Sequence, residues 1–446
     1  MKYFLGVDLG TSSTKAVVTD ERLKIVSQGV SNYEVSMPHS MWAQQSADVW
    51  MKGFLEATEK AVQGADVKIE ALCISGLYGG SGVPLDSHMN PLGPALIWMD
   101  KRAVEETKWV KENVDIDKLF RITGNYVDPY FGFTKILWMK RHFPQWEKTA
   151  LLLSPKDYVI YNLTGEIATD YSSAGNIGGI FNLKKRKWSE ELLEEMGIPS
   201  RIFPQKILPS NAIVGKIKFE FASKIGVKEG TPVVCGGIDA AVATYAAGVE
   251  KPGQHVAMIG TSMCWGTIHD GRYLTPKMVN MPYVIEPDRY VYSFGGATTA
   301  GAIVEWFKRE LAPDKTLEEL EEEAKKIPPE SEGVIVEPYF MGERAPLWNP
   351  NLRGAIKGLT LSSTRAHIYR AFLESIANSL KMNIDVAKEN KIPLNNDIFV
   401  VGGLTKSKLL MSILSETTGM NVKTLKTSLD APIGDVKLAI RMNGDV

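Results

Sequence analysis

The sequence predicts a mixed α/β fold of two related lobes facing a shared cleft, and three observations carry that expectation. At 446 residues the chain is longer than one hydrophobic core usually supports. Short apolar, strand-like runs bracket helical stretches, which is the pattern of a mixed α/β domain rather than a bundle. An apolar strand followed by a glycine turn recurs in "FLGVDLGTSST", "VVCGGIDAA", "VAMIGTSMC" and "IFVVGGLTKSK".

The elements follow in order. "YFLGV", the glycine and hydroxyl turn DLGTSST and "KAVVTD" read as strand, tight turn, strand, with "LKIVSQGVSNYEV" as a third strand after a turn at Asp20. "SADVWMKGFLEATEKAVQGA" carries Trp50, Phe54, Ala57 and Ala61 at helical spacing, and Ser46 is its N-cap candidate. "IEALCISGLYGG" returns to strand and loop. From about Ala103 to Ile198 the chain reads as mostly helical, with Pro144 and Gly165 as stops. A second strand-rich part follows Ile213. "DKTLEELEEEAKKIPPESEG" reads as a solvated helix ended by a proline pair. The last block combines a helix through "RAHIYRAFLESIANSLKMNI" with strand, glycine turn and helix in "NDIFVVGGLTKSKLLMSILSETTG".

Composition narrows the function classes. Hydrophobic residues make up 44% and charged residues 23% of the chain, as in ordinary globular proteins. Lys plus Arg number 51 against 52 Asp plus Glu, so no broad basic field invites nucleic acid or an acidic membrane. Cys73, Cys235 and Cys264 form neither a disulfide framework nor a CxxC pattern, and the six histidines form no HxxH or HExxH set. No apolar run reaches membrane-spanning length, and Asp8 interrupts the only hydrophobic start, so the expected address is the cytoplasm.

The turns carry the chemistry. Gly6 and Gly10 permit close backbone approach, while Thr11, Ser12, Ser13 and Thr14 set hydroxyls beside N–H groups that can hold phosphate oxygens. Asp8 would repel phosphate unless Mg²⁺ or its waters stood between, and Lys15 adds a positive charge nearby. The alternative is a hairpin turn with a solubilising aspartate. No GxxxxGK[ST] is present, and GVDLGTSS departs from GxGxxG. Gly260, Thr261 and Ser262 repeat the logic without a carboxylate, which suits the second side of a polyphosphate or a plain hairpin. Asp239, after two glycines, can accept a proton from a substrate hydroxyl during phosphoryl transfer, or simply cap a helix. Gly402 and Gly403 let a nucleobase or ribose lie against the backbone, with Lys406 or Ser407 close by. Asp100 and Arg102, two apart after a strand and turn, could reach a polyhydroxylated ligand or form a surface pair. Met99, Met139, Met341, Trp98, Trp138 and Trp348 read as core or cleft wall.

Together these segments resemble the FGGY carbohydrate kinases of the actin, hexokinase and Hsp70 ATPase superfamily. The resemblance runs in order through "GVDLGTSSTKAVV", "WAQQSADVW", "GPALIWMDKRA", "LLSPKDYVIYNLTGEIATDYSSAG", "WSEELLEEMGI", "GGIDAAVATYAAGV", "GTSMCWG", "ERAPLWNPNLRGAIKGLTLSSTRAHIYRAFLESIA" and "VGGLTKSKLLMSILSETTGMNV". It implies two ribonuclease-H-like lobes, residues 1–240 and 241–446, with ATP and Mg²⁺ in the cleft and phosphoryl transfer to a sugar or polyol hydroxyl. It implies Asp8 as the metal-site aspartate, with Gly10, Thr11, Ser12 and Lys15 on the first phosphate side and Gly260, Thr261 and Ser262 on the second. Asp239 takes the place of the base, and Gly402, Gly403 and Ser407 fall on the adenosine side. Glu374 lies in the family's second signature as a support for cleft packing.

The substrate side departs from the family pattern. Xylulokinases carry Met-His after the strand corresponding to "ALCISG", where this chain has Tyr78 and Gly79; the Arg-Glu pair of glycerol kinases is absent too. "WMDKRA" leans toward the xylulokinase and gluconokinase side, which implies Tyr78, Gly79, Trp98, Asp100, Arg102 and Asp239 around the sugar. Xylulose or a similar ketose is the leading expectation, with a sugar acid such as gluconate or another polyol as alternatives. The family generally continues for several tens of residues beyond "APIGDVKLA", so either an abbreviated second lobe or a truncated chain is expected at "IRMNGDV", with apolar surface covered by a partner subunit, such as a second copy in a homodimer, or by an altered lobe. The rival readings are an actin-like or chaperone-like ATPase and a non-catalytic sugar sensor on the same lobes.

Overall fold

The computed structural model describes residues 1–425 and 431–442; the rest of the "IRMNGDV" end lies outside the described residues. Contacts divide the chain into two α/β units, the first Met1–Gly248, Asn280–Tyr292 and Leu429–Val446, the second Val249–Val279 and Ser293–Ser428.

In the first unit, apolar alternation gives β1 (Tyr3–Leu9), β2 (Ser13–Asp20) and β3 (Ile25–Asn32), followed by α1 (Ala47–Gln63) and β4 (Ile69–Gly76). Much later the chain adds β5 (Ile213–Lys216), β6 (Pro232–Val234) and α2 (Asp239–Ala246). The sheet order is β5-β6-β4-β1-β2-β3, with β1 antiparallel to β2 and parallel to β4. Period-two alternation sorts β1 into two faces. Leu5, Val7 and Leu9 enter the core shared with Trp50 and Phe54 of α1, both fully buried and each contributing roughly 2–3 kcal/mol by burial. Ser46 caps α1 by accepting from the Asp48 N–H, as its sequence position predicts. Phe4, Gly6 and Asp8 point to the other face, where a helix at Ala431–Arg441 lies. Gly6 is required there, because a Cβ would collide with the Pro432 carbonyl.

That helix packs on β1, β4 and α2. The structure's division therefore differs from the expected one at 240 and 241: α2 stays with the first unit, and the helix at 431–441 returns to it. Between the strands lie helices Val104–Asn113, Ile116–Thr123, Gly132–His142 and Pro155–Thr164, the last ended by Gly165 in the left-handed region.

The second unit repeats the plan. It contains β7 (His255–Ile259), β8 (Met263–His269), β9 (Val291–Ala297), α3 (Gly301–Glu310), α4 (Arg365–Glu389), β10 (Asp397–Val401), α5 (Lys408–Thr418) and β11 (Asn421–Thr424). Its sheet includes, in order, β9-β8-β7-β10-β11. A hairpin is again followed by a parallel neighbour, β7 antiparallel to β8 and parallel to β10. The faint sequence echo is thus a repeated topology. Among the described residues no helix is long and apolar enough to cross a membrane.

Candidate active site

Three parallel strands of the first unit deliver their carboxyl ends to one edge. Asp8 lies opposite Ser75 in the β1–β4 register, the Leu77 N–H donates to the Leu9 carbonyl at 3.0 Å, and the Gly76 N–H donates to the Gly237 carbonyl at 3.1 Å. Asp8, the Leu77–Gly79 segment and Asp239 consequently emerge side by side, the placement at which open α/β sheets bind ligands.

Asp8 is half-buried and lies opposite Lys15 of β2, which is exposed. Ser75 Oγ sits 3.5 Å from Asp8 Oδ1 and 2.7 Å from Oδ2 of Asp435, a fully buried carboxyl that also accepts from Cys73 Sγ at 3.4 Å. Burial, with Asp8 adding like charge, pushes the Asp435 carboxyl well above the usual carboxylate range. Sequence reasoning missed Asp435; its only signal was one acid within an apolar helix.

The turn between β1 and β2 is held from behind. Gly10 N–H donates to the Ser13 carbonyl at 2.9 Å, Tyr33 Oη to the Gly10 carbonyl at 2.8 Å, Gln45 Nε2 to the Thr11 carbonyl at 3.0 Å and the Tyr33 N–H to the Ser12 carbonyl at 2.9 Å. Trp98 Nε1 donates to Thr11 Oγ1 at 3.0 Å, which joins the expected substrate wall to the expected phosphate turn.

Gly79 has φ +70°, and a Cβ there would meet Asn176 Oδ1, Trp98 and Tyr130. This crowding explains why glycine occupies the position. Tyr78 is buried, and its hydroxyl is pushed upward by burial and by Asp157. Below the loop, the fully buried Lys135 donates to the carbonyls of Gly79 (3.0 Å), Pro129 (2.8 Å) and Tyr130 (2.5 Å). Asn176, Tyr130 and Lys135 were not legible as site residues, because they meet Gly79 only through the fold.

Asp100 and Arg102 behave otherwise than expected. Asp100 is fully buried and accepts from the Ala43 N–H at 2.7 Å and from Arg102 Nε at 2.8 Å. The Arg102 guanidinium also donates to Gln44 Oε1 at 2.8 Å and lies 3.8 Å above the Trp42 ring and 4.9 Å from that of Trp138. A charged pair removed from water needs such full pairing, so the two act as a clasp on the 42–45 loop rather than as ligands for a polyol. Met341 is also not core or wall: it is 63% exposed.

Asp239 is the first residue of α2, half-buried, with Oδ1 accepting from the Ala240 N–H at 2.7 Å.

In the second unit, Gly260 N–H donates to the Ser262 carbonyl at 2.9 Å, a closure one residue tighter than that of Gly10 to Ser13. The first turn of α3 anchors this hairpin: Gly301 N–H donates to the Gly260 carbonyl at 2.8 Å, and the Ala300 and Ala302 N–H groups to that of Thr261 at 2.9 and 3.0 Å. Gly402, at the end of β10 with φ +109°, passes over Ile259. Gly403 opens a short 3-10 turn, and Ser407 caps α5 by accepting from the Leu410 N–H at 3.1 Å. Gly260, Thr261, Ser262, Gly402, Gly403 and Ser407 therefore gather at one end of the second sheet. Glu374 serves elsewhere. It accepts from the Glu330 N–H at 3.0 Å, Ser331 Oγ at 2.8 Å and Arg370 Nε at 2.7 Å, bracing three consecutive left-handed residues, Glu330 to Glu332.

Known proteins share this pattern. The chain matches the N-terminal domain of the FGGY family of carbohydrate kinases over residues 3–246 and the C-terminal domain over 255–442. It is 30% identical over 445 residues to the xylulose kinase of Bacillus subtilis (strain 168), covering 98% of this chain and 88% of that one. The gluconokinase of the same organism is 27% identical over 457 residues, covering 100% and 88%. Among solved structures, the ligand-bound xylulose kinase of Lactobacillus acidophilus superposes with a TM-score of 0.93 at 25% identity over 100% of this chain and 91% of that one. The gluconate kinase of Lactobacillus acidophilus gives 0.92 at 26% identity, covering 100% and 90%. Two α/β units of the ribonuclease-H-like, actin and hexokinase type, with matches across both domains, make the chain a member of the FGGY family of carbohydrate kinases.

Proposed function

We propose that the protein transfers the γ-phosphoryl group of ATP to a hydroxyl of xylulose or a similar ketose, with Asp239 as the base. The observation that carries the reading is the shared edge: Asp8 on β1 and Asp239, just after β6, leave strand ends on either side of β4, with Gly76 at the end of β4 bonded to Gly237. Asp239 accepts the proton of the attacking hydroxyl as its oxygen bonds to phosphorus and the bond to the ADP oxygen breaks. The proton ends on the Asp239 carboxyl. The carbonyls of Gly10, Thr11 and Ser12 and the N–H of Gly10 are held by the protein, so this turn would offer phosphate the N–H groups and hydroxyls of Thr11 and Ser12. Gly260, Thr261 and Ser262 would serve the phosphates in the same way, and Gly402, Gly403 and Ser407 the adenosine. Gly79, Tyr78 and Trp98, with Asn176 and Tyr130, form the proposed sugar wall; Asp100 and Arg102 support it from behind.

Mg²⁺ fits these residues. Among the described residues no three His, Cys, Asp or Glu form a metal-holding group, and Asp8 is a half-buried carboxylate at the turn, a donor suited to an ion held mainly by phosphate oxygens and water. Bound there, the ion would neutralise charge on the phosphate oxygens.

The similarity to xylulose kinases supports the ketose; the gluconokinases, matched over as much of the chain, support a sugar acid as the second reading. Coupled ADP release across ketoses, sugar acids and polyols, with a no-sugar control, tests both. A dominant rate with xylulose or another ketose is expected. A dominant rate with gluconate selects the second reading, and ATP consumption equal with and without sugar removes the kinase assignment.

A further inference from the structure

The four-residue turn that delivers Asp239 is pinned at successive backbone groups by side chains and strands that the chemistry does not otherwise use. Lys156 Nζ donates to the Cys235 carbonyl at 3.1 Å. The Gly236 N–H donates to the Ser210 carbonyl at 2.8 Å, and the Gly237 carbonyl accepts from the Gly76 N–H at 3.1 Å. The Ile238 N–H, one residue before Asp239, donates to Ser172 Oγ at 3.1 Å. Gly236, at φ +66°, and Gly237 have no space for a Cβ: the first abuts the Ile74 carbonyl and the second Ser172 Oγ.

These pins share one buried ionic cluster. Asp170 accepts from the Ser172 and Ser173 N–H groups at 2.8 and 3.2 Å, from both of their hydroxyls, and from Ser210 Oγ at 3.4 Å. Lys156 Nζ lies 3.1 Å from Asp170 Oδ1 and 2.6 Å from Asp157 Oδ1, and all three charged groups are at most 2% exposed. Burial pulls the Lys156 ammonium down, but Asp157 and Asp170 hold it well above the usual lysine range, so the cation persists. A buried cation with two carboxylates stabilises a fold no better than apolar packing of the same volume. What this one supplies is direction: the same ammonium and the same carboxylate reach both ends of the turn, Lys156 to Cys235 and Asp170 through Ser172 to Ile238.

We propose that Lys156, Asp170 and Ser172 are positioning residues that fix the backbone before Asp239 and so aim its carboxylate at the attacking hydroxyl. This rests on the reading of Asp239 as the base. The sequence carries the parts far apart, in "SPKDY", "TDYSSAG" and "VVCGGID", and only the fold joins them.

Ser172→Ala and Asp170→Asn test the proposal beside Asp239→Asn, each assayed for sugar-dependent turnover, for sugar-free ATP hydrolysis and for KM. Water needs no alignment with Asp239, so misaiming it should lower sugar-dependent kcat by about 10- to 100-fold while sugar-free hydrolysis and the KM for ATP stay within about twofold. A Ser172→Ala kcat within twofold of wild type, beside an inactive Asp239→Asn, overturns the positioning role and leaves the base in place. Equal loss of both activities overturns it too, since general damage would do the same. An active Asp239→Asn overturns the base reading itself. Ser172→Ala leaves the Lys156 ion pairs intact, so it decides the matter even where Asp170→Asn does not fold.

Discussion

The hairpins β1–β2 and β7–β8 each close on a glycine, Gly10 to Ser13 and, one residue tighter, Gly260 to Ser262, but they do not share a charge. At equivalent register β1–β2 pairs Asp8 with Lys15 and flanks Asp8 with Ser75, whereas β7–β8 pairs Met258 with Cys264 and flanks Met258 with Val401. Their supports differ as well. Side chains of Tyr33, Gln45 and Trp98 hold the first, and the backbone of α3 holds the second. One topology, used twice, thus yields a turn flanked by a carboxylate and a turn with a methionine in the matching position.

Substitution should expose this asymmetry. Asp8→Asn is expected to lower turnover by about 10³-fold, the scale of losing a charge-stabilising group, while Met258→Ala in the matching position changes kcat by only a few fold. Comparable losses in steady-state kinetics would erase the distinction. Asp100→Asn should unclasp the loop that supports the first hairpin, leave Arg102 buried without its partner, and lower stability by about 3–5 kcal/mol in urea unfolding. An unchanged midpoint would mean that the clasp does not hold the loop.

Acid should act on the second unit through His269 of β8. Burial lowers its pKa from 6.5 to about 4, and its ring contacts Ser293 Oγ at 2.7 Å. The unfolded chain then binds the extra proton between these values, so stability falls as pH drops from about 6.5 to about 4, by on the order of 3 kcal/mol. His269→Gln should lose that slope in denaturant titrations at pH 7 and pH 4.5; an identical slope would refute the assignment. Lys135 of the first unit has the same sense in a higher window: burial pulls its pKa from 10.5 down to about 7, so the cost of its buried charge is relieved and stability rises as pH increases above about 7. The smallest effect is expected from Met258→Asp, which places a carboxylate without a compensating ion in the second hairpin and should raise the KM for ATP about tenfold, less at high salt. An unchanged KM would argue against phosphate at that turn.

The local signals were legible in the sequence. Ser46 with Trp50, Phe54, Ala57 and Ala61 specified α1 because capping and periodicity are properties of neighbouring residues. Asp8 and Asp239 were visible as carboxylates in glycine turns, each with a local alternative, a solubilising turn residue or a helix cap, and Asp239 does open α2. Asp100 and Arg102 looked ligand-facing because the tryptophans that enclose Arg102, Trp42 and Trp138, are remote in sequence. Lys135 gave no signal and Asp435 only that of one acid in an apolar helix, since their meaning lies in contacts with Gly79 and β4 made by distant segments. The return of the helix at 431–441 to the first unit gave no signal for the same reason: it covers Gly6 from more than four hundred residues away.

The most direct test of phosphoryl transfer with Asp239 as base is sugar-dependent turnover of Asp239→Asn, measured beside its affinity for ATP by calorimetry. The account predicts a folded protein that binds ATP like wild type and loses most of its sugar-dependent turnover. Near-normal turnover would contradict it.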